Sequence, residues 1–237
     1  MEQIPDGLVC LTFDDAVRSQ YEFATPILEE LGFGATFYIS EGLRFLEDKS
    51  RYLEWEEIAD LHTRGFEIGN HTRAHTAVSK QTDSELRADI DYIDAKCEEH
   101  GIPLPTTFCY PGYATSDKAL GVLQERGFEF ARRGSAPEMP YNREGGRGPA
   151  YDPSQHDPLL VPTTGAAGPD YTFDVFRWSV DQAKDGRVCV FTLHGTPDLD
   201  HPWVNTDPDV FESYVRHLKD NGCTVISLAE LNRYVQQ

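Results

Sequence analysis

Leu8-Val9-Cys10-Leu11-Thr12-Phe13 is a short run, apolar but for one threonine, that stops abruptly at Asp14-Asp15. A run this short, with no polar face, predicts a strand buried on both sides, as in a parallel sheet. Helical spacing follows over residues 21–31, with Phe23, Ile27, Leu28 and Leu31 on one face and Gly32 as the stop. The same alternation continues outward from this unit. Strands are predicted at 35–39, 66–69, 106–109, 128–131, 158–163, 188–193 and 224–226, and helices at 54–64, 82–100, 117–126, 172–184, 208–220 and 228–235. Between them, residues 134–157 are rich in Gly, Pro and polar groups and read as a long loop. There is no internal repeat and no linker, so residues 1–237 read as a single α/β domain, a barrel of seven or eight parallel strands wrapped by helices. An open doubly wound sheet is the alternative. Thr12-Phe13-Asp14-Asp15-Ala16 carries no glycine fingerprint after the first strand, which argues against dinucleotide binding.

Composition narrows the function classes. With 39% hydrophobic and 11% aromatic residues in 237, the chain is neither disordered nor dependent on disulfides for its core. Forty acidic residues against 21 Lys and Arg give a formal charge of −19, which disfavours nucleic acid and anionic membranes as partners. Few of the cations are Lys, a balance that suits a salt-adapted surface or simply an acidic soluble one. Cys10, Cys97, Cys109, Cys189 and Cys223 are dispersed without a CxxC, so reduced thiols are expected, with Cys10 and Cys189 in the core. No stretch is long and apolar enough for a membrane span, and the first residues lack the basic-then-apolar order of a signal peptide; a cytoplasmic location is the expectation.

Chemistry is suggested at four places. In His71-Thr72-Arg73-Ala74-His75 the histidines are at i and i+4, and on a helical turn both would project from one face toward a single ion. Asp14 and Asp15 place adjacent carboxylates where an apolar strand ends, a costly arrangement unless a cation compensates them. Together Asp15, His71 and His75 would offer one oxygen and two nitrogens and leave coordination positions open, as a hydrolytic zinc site requires, with Asp14 free to accept a proton. His194 ends the 188–193 strand, and Tyr110-Pro111-Gly112-Tyr113 follows the 106–109 strand, so both would join the same C-terminal rim. His156, Asp157 and the segment from His194 through His201 to Trp203 are further rim candidates, with Trp203 and Tyr113 able to stack on a ring substrate.

Thr12-Phe13-Asp14-Asp15, His71-Thr72-Arg73-Ala74-His75, Cys109-Tyr110-Pro111-Gly112-Tyr113 and Leu193-His194 occur in the order found in polysaccharide deacetylases with a NodB homology domain, the carbohydrate esterase family 4 type, and the chain resembles that family over about residues 7–228. The resemblance implies a distorted (β/α) barrel and metal-dependent hydrolysis of an amide, typically an N-acetyl group on a glycan. It implies Asp14 as general base, Asp15, His71 and His75 as metal ligands and His194 as general acid. Leu193 would line the acetyl pocket, Pro111, Tyr113 and Trp203 would meet substrate, and the backbone N–H near Tyr110 would face the oxyanion. One divalent ion is expected, zinc by default, with cobalt, nickel or manganese able to replace it.

Two features depart from the family pattern. Its third motif usually begins with an Arg that orients the base, and Cys109 stands there; the Asp-rich fourth motif that usually holds that Arg has no match. A replacement cation is therefore expected, and Arg132 or Arg133, at the end of the fifth strand, is the candidate, with Arg132 placed among the substrate-side residues. Two other readings stand beside glycan deacetylation: hydrolysis of a small non-peptide C–N bond, such as a cyclic ureide in the allantoinase manner, and a catalytically silent metal- or glycan-binding module.

Overall fold

Eight parallel strands form the centre of the computed structural model, which describes residues 2–140 and 145–235. They are β1 (Leu8–Asp14), β2 (Thr36–Ile39), β3 (Glu67–Asn70), β4 (Thr107–Cys109), β5 (Phe130–Arg132), β6 (Gly165–Ala166), β7 (Cys189–Leu193) and β8 (Thr224–Ile226). Helices α1 (Thr25–Leu31), α2 (Trp55–Thr63), α3 (Asp83–Glu99), α4 (Asp117–Arg126), α5 (Phe173–Val180) and α6 (Pro208–Asp220) alternate with them in the chain. The helix boundaries have local causes. Thr82 and Glu85 cap the start of α3 reciprocally, and Gly32 and Gly127, at φ 71° and 76°, end α1 and α4 in the left-handed conformation glycine adopts without strain.

The ladder runs β5-β4-β3-β2-β1-β7-β6. It curls back on itself: Arg132 in β5 bridges Val161 in parallel, and shortly afterwards Gly165 pairs with Phe191 in β7. β8 pairs with Leu8–Cys10 and β2 with Thr12–Asp14, so these two strands share one edge of β1. The result is the distorted barrel expected from the alternation of strands and helices.

Several predicted elements are corrected. Residues 158–163 do not form the sixth strand, because Pro158 and Pro162 lack N–H groups; Pro158–Leu160 is a 3₁₀ turn with the Asp157 carboxylate accepting from Leu159 N–H at 2.8 Å. The paired residues are Gly165–Ala166, which no apolar run announces. The helix predicted over 172–184 ends at Val180, and 228–235 contains a 3₁₀ turn over Ala229–Arg233. Part of the 134–157 loop, residues 141–144, lies outside the described residues; the rest has isolated bridges at Arg147 and Tyr151 but no helix or strand.

Side chains alternate across each strand. Val9, Leu11 and Phe13 of β1 pack outward against the helices, with Phe37, Ile39, Ile68, Phe191 and Leu193. Leu8 and Cys10 face inward, with Tyr38, Cys109, Phe130, Val190 and Ile226. Continuing the inward parity to the C-terminal ends of the strands gives Asp14, His71, Cys109, Arg132 and His194. Polar groups thus cap an apolar barrel interior at one end, and that end is the rim predicted to carry chemistry.

Closure of the barrel depends on a bare backbone at Gly165. A Cβ there would lie 2.1 Å from Tyr171 Oη and 2.6 Å from the Phe191 ring. Gly165→Ala is expected to cost about 1–3 kcal/mol by overpacking this seam, measured as a lower denaturant midpoint with an unchanged slope.

Candidate active site

β1 ends in two carboxylates that both turn inward. Asp14 does so by strand parity; Asp15 does so because it and Ala16 adopt left-handed conformations at φ 74° and 53°, while its N–H remains bonded to Tyr38 O at 3.2 Å. Both are nearly inaccessible, at 2% and 5% exposure. Gln20, buried in a turn of π-helix before α1, donates to the backbone carbonyls of Asp14 and His194 at 2.5 and 3.3 Å, tying the ends of β1 and β7 together. Sequence patterning gave no reason to single out Gln20.

His71 and His75 are not on a helical turn, which corrects the sequence-based geometry. His71 continues β3, its N–H donating to Ile39 O at 3.0 Å, and His75 lies beyond a loop in which Thr72 and His75 have φ of 63° and 54°. The loop is pinned by Asn70 Oδ1, which accepts from Thr72 N–H at 2.9 Å, and by close packing on the segment after β2: a Cβ on Gly42 would sit 2.8 Å from Ala74 O and 3.0 Å from His75 Cβ. Both imidazoles nevertheless present Nε2 to the same atom, Asp15 Oδ1, each at 3.4 Å.

Those three groups fit a divalent cation. His71 Nδ1 is 2.8 Å from Cys109 O, an acceptor that fixes the proton there and leaves the Nε2 lone pair facing Asp15. Asp15 Oδ1 is buried and has no hydrogen-bond partner. A buried carboxylate oxygen between two imidazole nitrogens calls for a positive charge, and the donor atoms lie within 4.8 Å of one another. Burial opposes charge on both imidazoles. It pushes His75 down to about 4, with help from His71, while the surrounding Cys109, Asp15 and Asp14 raise His71 despite its burial.

Asp14 is compensated differently. Arg132, fully buried, reaches both of its oxygens with Nη2, at 2.6 Å to Oδ2. Burial pushes the Asp14 carboxyl up, but Arg132, with the His71 and His194 imidazoles, outweighs it and holds the carboxyl below its usual range. The rings of Tyr38 and Tyr113 each lie 5.6 Å from the guanidinium, and Cys109 Sγ is 3.6 Å from Asp14 Oδ2. Arg132, not Arg133, is therefore the cation beside Asp14; Arg133 serves the carbonyls of Leu160 and Gly134 and pairs with Glu138. Arg132 lies beneath Asp14 and is not among the residues that line the cleft above it, which corrects its expected place on the substrate side.

A cleft of about 250 Å³ opens above these groups, lined by the two aspartates, His71, His75, His194, Tyr110, Gly112, Tyr113, Leu43, His201, Trp203 and Val204. A larger cleft, about 720 Å³, lies at the opposite end of the barrel around Phe66–Ile68 and Ile102–Thr106, away from this cluster, so volume does not locate the chemistry.

Other candidates are placed elsewhere. Leu193 and Pro111 are not among the lining residues; Leu193 has outward parity and packs with Phe191 and Phe211. The Tyr110 N–H is already spent on Arg132 O at 3.1 Å, because the β4–β5 ladder runs one residue past Cys109. Within that turn Tyr113 N–H donates to Tyr110 O and Pro111 has no N–H, which leaves Gly112, at φ 58°, as the amide lining the cleft. His156 stacks on Tyr151 and accepts from Asp152 N–H, and Asp157 caps the 3₁₀ turn; neither lines the cleft.

Arg132→Met is expected to cost about 3–5 kcal/mol by leaving a buried carboxylate unpaired, and Asp14→Asn in the same chain to recover much of it. Because the folded Asp14 value is depressed, this contribution is complete above the unfolded value of about 3.9 and is lost as pH falls through the folded one. Denaturation at pH 7 and pH 3 checks both. His75→Ala and Asp15→Ala are expected to abolish stoichiometric metal content while Arg132→Met keeps it, as read by elemental analysis.

The family model described as "Polysaccharide deacetylase" matches residues 2–131. A peptidoglycan-N-acetylglucosamine deacetylase from Bacillus cereus is 28% identical over 134 residues, 54% of this chain and 57% of that protein, so the match spans little more than half the relative's length. Among solved structures, a peptidoglycan deacetylase from Bacillus subtilis superposes with TM-score 0.60 at 16% identity, covering 98% of this chain and 93% of that one. The CE4 domain of a multidomain xylanase from the hindgut metagenome of Trinervitermes trinervoides gives 0.61 at 16%, covering 97% and 91%. A CE4 family pseudoenzyme from Bacillus anthracis gives 0.61 at 14%, covering 96% and 66%. These structures share the barrel, and the family model extends over more than half of the sequence: the chain belongs to the polysaccharide deacetylase family.

Proposed function

We propose that the chain is a metal-dependent hydrolase that removes acetyl groups from the nitrogen of an N-acetylated carbohydrate. One contrast carries this reading: Asp14 is tied to a buried guanidinium, while its neighbour Asp15 holds an unpartnered oxygen between two imidazoles. The first carboxylate is kept ionised and fixed, as a base requires; the second needs a cation.

Asp15, His71 and His75 would hold the ion, which when bound supplies Lewis acidity for the acyl oxygen and acidifies a water. Zinc suits the His₂Asp donor set, with cobalt, nickel and manganese as substitutes. Asp14 takes the proton of the attacking water, its carboxylate held in place by Arg132. The Gly112 N–H is the amide of its turn able to stabilise the developing oxyanion. Leu43 and Val204 provide apolar wall for the acetyl methyl, and the rings of Tyr113 and Trp203 provide stacking faces for a sugar. The departing amine must receive a proton, and two imidazoles besides the ligand pair line the cleft, His194 and His201.

The curated relative's name supports a glycan substrate. So does Trp203, which is 67% exposed at the lip and leaves the cleft open for a polymer to continue beyond it. The small cleft volume favours a second reading, cleavage of a C–N bond in a small cyclic amide.

Metal-reconstituted protein is expected to release acetate from N-acetylated oligosaccharides, to lose this activity to a chelator, and to lose at least about 10²-fold in kcat on Asp14→Asn. Ring opening of a cyclic ureide without acetate release would support the second reading. Glycan binding without any hydrolysis would leave a silent module.

A further inference from the structure

Gln20 is fully buried in the short π-helical turn before α1, and nothing in the motif order marks it. Its backbone is held on both sides: its N–H donates to Val17 O at 3.0 Å, and its carbonyl accepts from Thr25 Oγ1 at 2.7 Å. The side-chain amide has two N–H groups to give. Nε2 donates to Asp14 O at 2.5 Å and to His194 O at 3.3 Å, while Oε1 is buried without a hydrogen-bond partner. The amide is therefore oriented by its donor side alone. The two carbonyls it joins belong to the residues that follow Phe13 and Leu193, the last pair of the β1–β7 ladder. Gln20 thus joins the two strands just past the point where their backbone pairing stops. Ser19 adds a second tie: its hydroxyl accepts from Thr196 N–H and donates to Pro197 O, both at 2.8 Å.

The side chains of those two residues are held unequally. Asp14 has Arg132 Nη2 at 2.6 Å from its Oδ2, a contact that does not involve Gln20. His194 has no such grip. Its Nε2 faces Asp14 Oδ2 at 3.9 Å and Asp15 Oδ2 at 3.8 Å, beyond hydrogen-bond length, and its buried Nδ1 has no hydrogen-bond partner among the described residues. An imidazole ordinarily takes its orientation from the bond made by its second nitrogen. Without that bond, the place of the His194 ring depends on the backbone from which it projects, and Gln20 holds that backbone.

We propose that Gln20 is a positioning residue: by tying the His194 carbonyl to the Asp14 carbonyl, it sets the His194 imidazole against the two aspartates. The proposal rests on the hydrolase reading above, with Asp14 as base and His194, whose Nε2 lies 3.8–3.9 Å from both aspartates, as the acid that protonates the departing amine. Gln20 is not among the residues that line the cleft, so it acts through the backbone. Loss of its two N–H groups leaves Asp14 on Arg132 but releases the strand end that carries His194. Proton delivery to the leaving group is then the step that suffers first, and a displacement of about 1 Å is enough to cost up to about 10²-fold in rate.

The test compares leaving groups in metal-reconstituted protein. Gln20→Met keeps the length of the side chain and removes both donors. It should lower kcat on an N-acetylated oligosaccharide by about 10- to 10²-fold with KM and metal content unchanged. Hydrolysis of 4-nitrophenyl acetate, whose leaving group needs no proton, should fall far less. Gln20→Glu, which when neutral has one proton to give in place of two, should show the same split more weakly and serves where the Met variant does not fold. Gly165→Ala, which disturbs the barrel away from this tie, should keep the parent's ratio of amide to ester rates. By NMR, the His194 ring signals should move in Gln20→Met and stay in Gly165→Ala, a readout independent of turnover. Equal losses on amide and ester, the same split in Gly165→Ala, or an unmoved His194 ring would overturn the assignment while leaving the hydrolase reading intact. A parent protein that cleaves neither substrate would overturn both.

Discussion

The buried pair of Asp14 and Arg132 is the constraint around which the rest of the rim is arranged. A carboxylate buried at the end of a barrel strand, with a second carboxylate beside it, would take up a proton unless a charge of the other sign shared its burial. Arg132 supplies that charge from β5, and the register explains how. Cys109 and Arg132 are paired residues on adjacent strands, about 4.8 Å apart across the ladder. A guanidinium moved from the β4 end to the β5 end still reaches the same carboxylate with its long side chain. The thiol left at the β4 position fits against Asp14 and His71 without adding a charge.

Asp15 poses the same problem with a different answer. Among the described residues no guanidinium faces it; two imidazoles meet its Oδ1, one committed by its hydrogen bond to Cys109 O, and His194 lies 3.8 Å from its Oδ2. The two adjacent carboxylates thus differ: Asp14 is satisfied by a fixed guanidinium, whereas Asp15 keeps an unpartnered oxygen between two imidazoles. That difference is what the proposed roles of base and metal ligand require; with neither carboxylate paired, Asp14 would be pushed toward its protonated form.

Much of this could be read from the sequence, because the signals were local and periodic. Apolar runs ending in Asp14, Cys109 or His194 marked strand ends, and the demand for a cation near Asp14 followed from the missing Arg at Cys109. What could not be read had equally specific causes. The i, i+4 spacing of His71 and His75 fits a helical turn, yet the loop is built from left-handed residues whose φ no pattern announces. Tyr110 failed as an oxyanion donor because the β4–β5 ladder extends one residue farther than the apolar run. Leu193 was misplaced although the information was present: it shares outward parity with Phe191 while His194 points in, and the period-two rule separates them. β6 escaped because its two residues are a glycine and an alanine, chosen for close approach to Tyr171 and Phe191 rather than for hydrophobic weight.

The left-handed residues cluster at the rim for a reason that follows from the charges. Asp15, Thr72 and His75 all have positive φ, and residues held there cost of order 1–3 kcal/mol each. Such strain persists only where surrounding contacts overdetermine it, and here they do: Asn70 accepts from Thr72 N–H, Thr72 Oγ1 from His75 N–H, and Gly42 packs flush against Ala74. A relaxed loop would let the imidazoles swing toward water and leave Asp15 to be neutralised by a proton. Holding both rings on one carboxylate oxygen stores that cost in the folded chain, and the proposed cation would meet donor atoms already converged, with little ordering left to do. The outer-face core of helices against strands carries the stability that offsets this local strain.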